Sequence, residues 1–95
     1  MNRPAARPAV DCQSRAITAA SSDGVVVFKL VACADCVHVE RSQWRAGSGR
    51  SVQAMRFHDN ASFNRWCEAD RLSFVYPLLY AGLQRSGRAL FSPAP

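Results

Sequence analysis

The sequence predicts an α+β fold: a small, three-stranded antiparallel sheet packed against one or two C-terminal helices. Three observations predict it. Val25–Val31 is a short, continuous β-branched run. The stretch from Val37 to Phe57 alternates around a Gly-Ser-Gly tip, as a β-hairpin does. After Asp59 and Asn60 the apolar spacing changes from two to three and four, which marks a capped helix.

The 95 residues suit one domain, with 48% apolar and 20% charged residues. A chain of this size buries roughly 60–65% of its unfolded surface, so its core is small. The net charge is +5, and the twelve basic residues are eleven Arg and one Lys. Arg presents a planar fork suited to phosphate and carboxylate, and a positive surface favours acidic partners. No stretch approaches the ~18 apolar residues of a membrane span, and the N-terminus has no apolar signal core. The expected location is the cytoplasm, where stable disulfides are rare. Four cysteines, at 12, 33, 36 and 67, are then buried thiols, metal ligands or redox thiols.

Residues 1–22 read as an N-terminal tail, proline-bearing at first, with a short helix over Asp11–Ala20 from the spacing of Ala16, Ile17 and Ala20. Ser21 to Gly24 signals a turn. The single domain spans 23–91, and 92–95 is a tail. Val25–Val31 suits a central, largely buried strand. Val37–Trp44 and Arg50–Phe57 pair across a three-residue loop closed by Ala46 and Arg50, with Gly49 in the left-handed position. That register gathers Val37, Val39, Met55 and Phe57 on one face. It sets Glu40 opposite Arg56, Trp44 opposite Val52 and His38 opposite His58. Asp59 or Asn60 caps a helix to about Leu72, whose Phe63, Trp66 and Cys67 pack on the sheet. Residues 73–76 connect to a second helix, which Pro77 opens and Gly87 stops.

Three constellations carry chemistry. The hairpin presents Arg41, Arg45, Arg50 and Arg56 around Trp44, cations for phosphates beside a ring for stacking. Cys33-x-x-Cys36-x-His38 is half of a tetrahedral zinc site, with His58 as a further ligand and Cys67 in reserve. Tyr76, Leu79, Tyr80 and Leu83 form an apolar stripe suited to the core or to a homodimer seam. The residues show no Gly-rich phosphate loop, serine elbow or spaced carboxylate pair, so conventional catalysis finds no motif.

An apolar strand followed by Cys33-Ala-Asp-Cys36 also resembles the thioredoxin and glutaredoxin families, over residues 24–92. The resemblance implies a thioredoxin-like α/β fold in which Arg50–Phe57 is the next strand. It also implies Cys33 as the attacking thiolate, Cys36 as the resolving thiol and Pro77 as the substrate-side cis-proline.

The favoured expectation is a small non-enzymatic binding or regulatory protein with no cofactor and no membrane partner, acting through the basic hairpin face on nucleic acid or an acidic protein. The alternative is a small thiol–disulfide redox protein. The state of residues 37–46 discriminates between them: a strand favours the hairpin, a helix the dithiol.

Overall fold

The computed structural model describes residues 15–91. They form four strands, β1 (Arg15–Ala20), β2 (Val26–Ala32), β3 (Val37–Arg45) and β4 (Gly49–Phe57). Three helices follow, α1 (Asn60–Ala69), α2 (Leu72–Val75) and α3 (Pro77–Phe91). The strands make one antiparallel meander in the order β1-β2-β3-β4. The class is therefore α+β, as expected, but the sheet has four strands rather than three.

The additional strand is β1, where a short helix was expected; the start of that expected helix, 11–14, lies outside the described residues. Alanine-rich spacing favours a helix in isolation, but one edge of β2 has backbone groups that need partners. Pairing with β2 sets Ile17 opposite Leu30 and Ala19 opposite Phe28, so both add apolar surface beside the core. The turn that returns the chain is built on Ser21 and Asp23. Ser21 is buried, and its hydroxyl donates to Asp23 Oδ1 at 2.7 Å and accepts from Val26 N–H at 3.1 Å. Asp23 also accepts from Val25 N–H at 3.0 Å, and Gly24 takes φ +76.

Residues 37–45 are a strand, as the hairpin reading requires. The parity of the hairpin is as expected, with Val37, Val39, Met55 and Phe57 on one face. Its register differs by one pair. Arg45 pairs with Gly49, so the three loop residues are Ala46, Gly47 and Ser48. Gly47 and Gly49 both take positive φ (+79 and +80), which glycine adopts without strain, and Ser48 N–H donates to Arg45 O at 3.1 Å. As a result Trp44 faces Arg50, Glu40 faces Ala54, and His38 faces Arg56 rather than His58.

α1 begins where its cap predicts, with Asp59 Oδ1 accepting from Ser62 N–H at 2.7 Å. It ends at Ala69, three residues early, and the expected connector holds the short α2. α3 starts at Pro77, runs through Gly87 and ends at Phe91. Gly87 does not stop the helix, because its bare Cα is where the ring of Phe63 packs: a Cβ there would lie 2.5 Å from that ring.

The helices cover the sheet face that carries Val26, Phe28, Leu30, Val37 and Val39. Phe63 and Cys67 of α1 and Tyr80, Leu83 and Leu90 of α3 close the core. Complete burial of Phe28, Leu30, Phe63 and Leu83 contributes about 1.5–3 kcal/mol each. Phe28 meets Tyr80 and Trp66 edge-on, with centroids 5.6 and 6.1 Å away. Among the described residues, no helix lies over the other sheet face. No helix among the described residues is long and apolar enough to cross a membrane.

The thioredoxin-like arrangement is not what these elements form. The residue after Cys36 starts a strand instead of a helix, and the described residues contain no cis peptide bond. Pro77 sits beside Ala19–Ser22, at the β1–β2 turn. The dithiol lies in the β2–β3 turn, at the other end of β2, about 20 Å of strand away.

Candidate functional site

The sheet face turned away from the helices, the open face, is set by alternation along each strand. It carries Ala16, Thr18 and Ala20 from β1, and Val27, Lys29 and Val31 from β2. From β3 and β4 come His38, Glu40, Ser42 and Trp44, and Arg50, Val52, Ala54 and Arg56. Lys29, Arg50 and Arg56 supply positive charge, and Glu40, the one strand acid on this face among the described residues, stands opposite Lys29. Trp44 is 45% exposed and Val52 48%. The Arg50 guanidinium lies over the Trp44 ring, 5.5 Å from its centroid, a geometry in which the ring's negative face attracts the cation.

The five residues expected to form one basic face divide between two. Trp44, Arg50 and Arg56 share the open face. Arg41 and Arg45 point to the helix side, because they alternate with Trp44. Arg41 is already engaged there. It donates to Asp70 Oδ2 at 2.8 Å and to Gln53 Oε1 at 2.6 Å, and lies 5.7 Å from the Trp66 ring centroid. Tyr80 also donates to Asp70 Oδ2, and burial first, then this hydrogen bond, raises the Tyr80 phenol above its ordinary range. Arg41 thus ties β3 to the helices, while Arg45 is exposed near the hairpin tip. Reading β2 as a largely buried strand left Lys29 out of the candidate face. Its signal was a single charge at the centre of a β-branched run, which marks an outward position.

At the far end of the same open face, the β2–β3 turn closes with Cys33 N–H donating to Cys36 O at 2.8 Å. This turn brings Cys33, Cys36 and His38 together: the thiol sulfurs and one His38 ring nitrogen lie within 4.8 Å of one another. Cys36 is buried and His38 exposed. Burial, and then the charge of Asp35, raise the Cys36 thiol above its ordinary value, with Arg56 acting in the opposite direction. A raised thiol is a weak nucleophile at neutral pH. His58 is outside the cluster, with its Nδ1 3.3 Å from Asp35 O. Cys67 is in the core, where burial pushes its thiol up to about 12.

A third surface lies where α2 and α3 meet the β1–β2 turn. Its groove of about 570 Å³ is lined by Ala19, Ser21, Tyr76, Leu78, Leu79 and Gly82 among others. Tyr76, one of its lining residues, donates through Oη to Asp23 Oδ2 at 2.9 Å. Of the expected dimer seam, Tyr80 and Leu83 are buried (3% and 0% exposed) and serve the core, while Tyr76 and Leu79 line the groove. The exposed apolar residues here are instead Phe74, Val75 and Leu78. Spacing alone missed Phe74 and Val75, because they belong to the short α2.

The fold and its surfaces define a class: a four-stranded antiparallel meander, backed on one face by C-terminal helices and, among the described residues, open on the other. No protein-family model, no curated protein and no solved structure matches the chain.

Proposed function

We propose that the chain is a non-enzymatic binding protein whose open sheet face receives an acidic macromolecule, with single-stranded nucleic acid as the favoured partner. The observation that carries this reading is the exposed Trp44 with the Arg50 guanidinium against its ring, on the face that also presents Lys29 and Arg56. A ring stacks on any base, and cations beside it neutralise phosphates, so the combination binds single strands with little regard for sequence. An acidic protein segment would use the cations but not the stacking.

The test is fluorescence anisotropy of labelled single-stranded oligonucleotides against the full chain over a salt series. Affinity falls steeply with salt, as counterion release requires. Trp44→Ala weakens binding by about 1–3 kcal/mol, the range for one base–aromatic stack. Arg50→Ala reduces the salt slope by about one charge. No binding at low salt, or binding indifferent to salt and to Trp44, rejects the proposal. Binding to poly-glutamate that is insensitive to Trp44→Ala would transfer it to an acidic protein partner.

A further inference from the structure

The β2–β3 turn holds a second, chemically distinct feature. We infer that Cys33, Cys36 and His38 bind one zinc ion, with water in the fourth tetrahedral position. Three donors of suitable type already converge, since their ligand atoms lie within 4.8 Å of one another. Around a tetrahedral zinc, with bonds of about 2.0–2.3 Å, such atoms stand about 3.5–3.8 Å apart. A contraction of about 1 Å completes the set.

The local backbone makes that contraction small. Cys33 N–H donates to Cys36 O at 2.8 Å, so a two-residue turn fixes the two cysteines opposite each other at the hairpin end. Cys33 follows Ala32 and Cys36 precedes Val37. Ala32 and Val37 are paired on the helix face, so both cysteines project to the open face with His38. His38 is two residues beyond Cys36 on β3, the spacing that returns a side chain to the same face. His38 is exposed, so its ring turns toward the sulfurs without disturbing the core.

The donor set selects the metal. Two thiolates and an imidazole are soft-to-intermediate ligands, which favour zinc over magnesium or calcium. Two thiolates also neutralise a dication, while Asp35 in the turn and Arg56 opposite His38 roughly balance each other. Cys67 is buried in α1 and takes no part. Binding replaces two thiol protons with one metal and pins β2 to β3 at the end of the sheet opposite the β1–β2 turn.

The experiment is zinc titration of the full, reduced chain against a chromophoric chelator, with cobalt substitution as the spectroscopic readout. One zinc binds per chain, and the cobalt form shows thiolate charge-transfer and tetrahedral ligand-field bands. Cys36→Ser and Cys33→Ser abolish those bands. His38→Ala lowers zinc affinity by more than about tenfold, the loss that even outer-shell partners cause, and changes the ligand-field bands. Because His38 is exposed, this variant keeps the fold, which circular dichroism confirms. His58→Ala retains affinity and spectrum. Absence of stoichiometric binding overturns the inference, as does binding that survives either cysteine variant or is unchanged in His38→Ala.

Discussion

Gly87 of α3 lies directly against the ring of Phe63 in α1, so that a Cβ on Gly87 would stand 2.5 Å from Cδ2 and Cε2 of that ring. The contact is where α1 and α3 cross beneath the sheet. Phe63 is fully buried and also meets Phe57 edge-on with centroids 5.3 Å apart, so it has little room to retreat. Gly87→Ala therefore sets two effects against each other. Alanine gains about 1 kcal/mol of helix propensity, and overpacking costs about 1–3 kcal/mol. The overlap is with a fixed ring, so the second effect dominates and the variant unfolds at lower denaturant concentration. Gly82→Ala is the control. Its Cβ would meet only the flexible end of Arg85 at 3.6 Å, so it stabilises by up to about 1 kcal/mol. Urea midpoints of the two variants, moving in opposite directions, check the assignment.

Arg41 and Asp70 form a partly buried pair whose function is structural. Their side chains are 16% and 18% exposed, and Asp70 also accepts from Tyr80. Asp70→Ala leaves the Arg41 guanidinium and the Tyr80 hydroxyl short of a partner and costs about 1–3 kcal/mol. Arg41→Lys does not restore the wild-type value, because an ammonium lacks the fork that reaches Asp70 and Gln53 together. Arg41→Ala lowers thermal stability but leaves the salt slope of oligonucleotide binding unchanged, whereas Arg50→Ala does the reverse. A salt slope that falls in Arg41→Ala would return Arg41 to the contact surface.

Two aspartates make the fold acid-sensitive. Hydrogen bonds from the Ser62 backbone and side chain hold Asp59 below the usual carboxylate range. Those from Ser21 and the Val25 N–H do the same for Asp23. A carboxyl depressed in the folded state contributes stability that is present above its unfolded value, near pH 4. That contribution is lost as pH falls through the folded value. Asp59→Ala removes the N-cap, lowers the unfolding midpoint at pH 7, and flattens the decline below about pH 4. A parallel decline in both proteins would show that the cap does not titrate with folding.

Cys67 should be inert while the protein is folded. Its thiol is buried and pushed up to about 12, so little thiolate exists near neutrality. In the folded chain at pH 8, iodoacetamide leaves Cys67 unmodified and labels it only when denaturant is added, as peptide mass mapping reads. The same shift makes stability fall as pH rises from the ordinary thiol value towards 12, because the unfolded chain releases a proton that the folded chain retains. Rapid native labelling of Cys67 would contradict its place in the core.

Elements whose signals are local were legible from residue order alone. The β-branched run of β2, the glycine-bracketed tip of the β3–β4 hairpin and the Asp59 cap of α1 each depend on a few neighbouring residues and fold as those residues dictate. The face parity of the hairpin was legible for the same reason, since a one-residue slip would expose Val37 and Val39. The proximity of Cys33, Cys36 and His38 was likewise visible in their spacing. Tertiary structure decided the rest. β1 is a strand because β2 offers it an edge, against the helical preference of its alanines. Gly87 lies within α3 because Phe63 fills the space a side chain would need. Arg41 joins Asp70 instead of the outer surface because strand alternation turns it towards the helices. Each of these outcomes depends on a partner distant in the chain, and neither spacing nor propensity within a short window encodes where that partner will be.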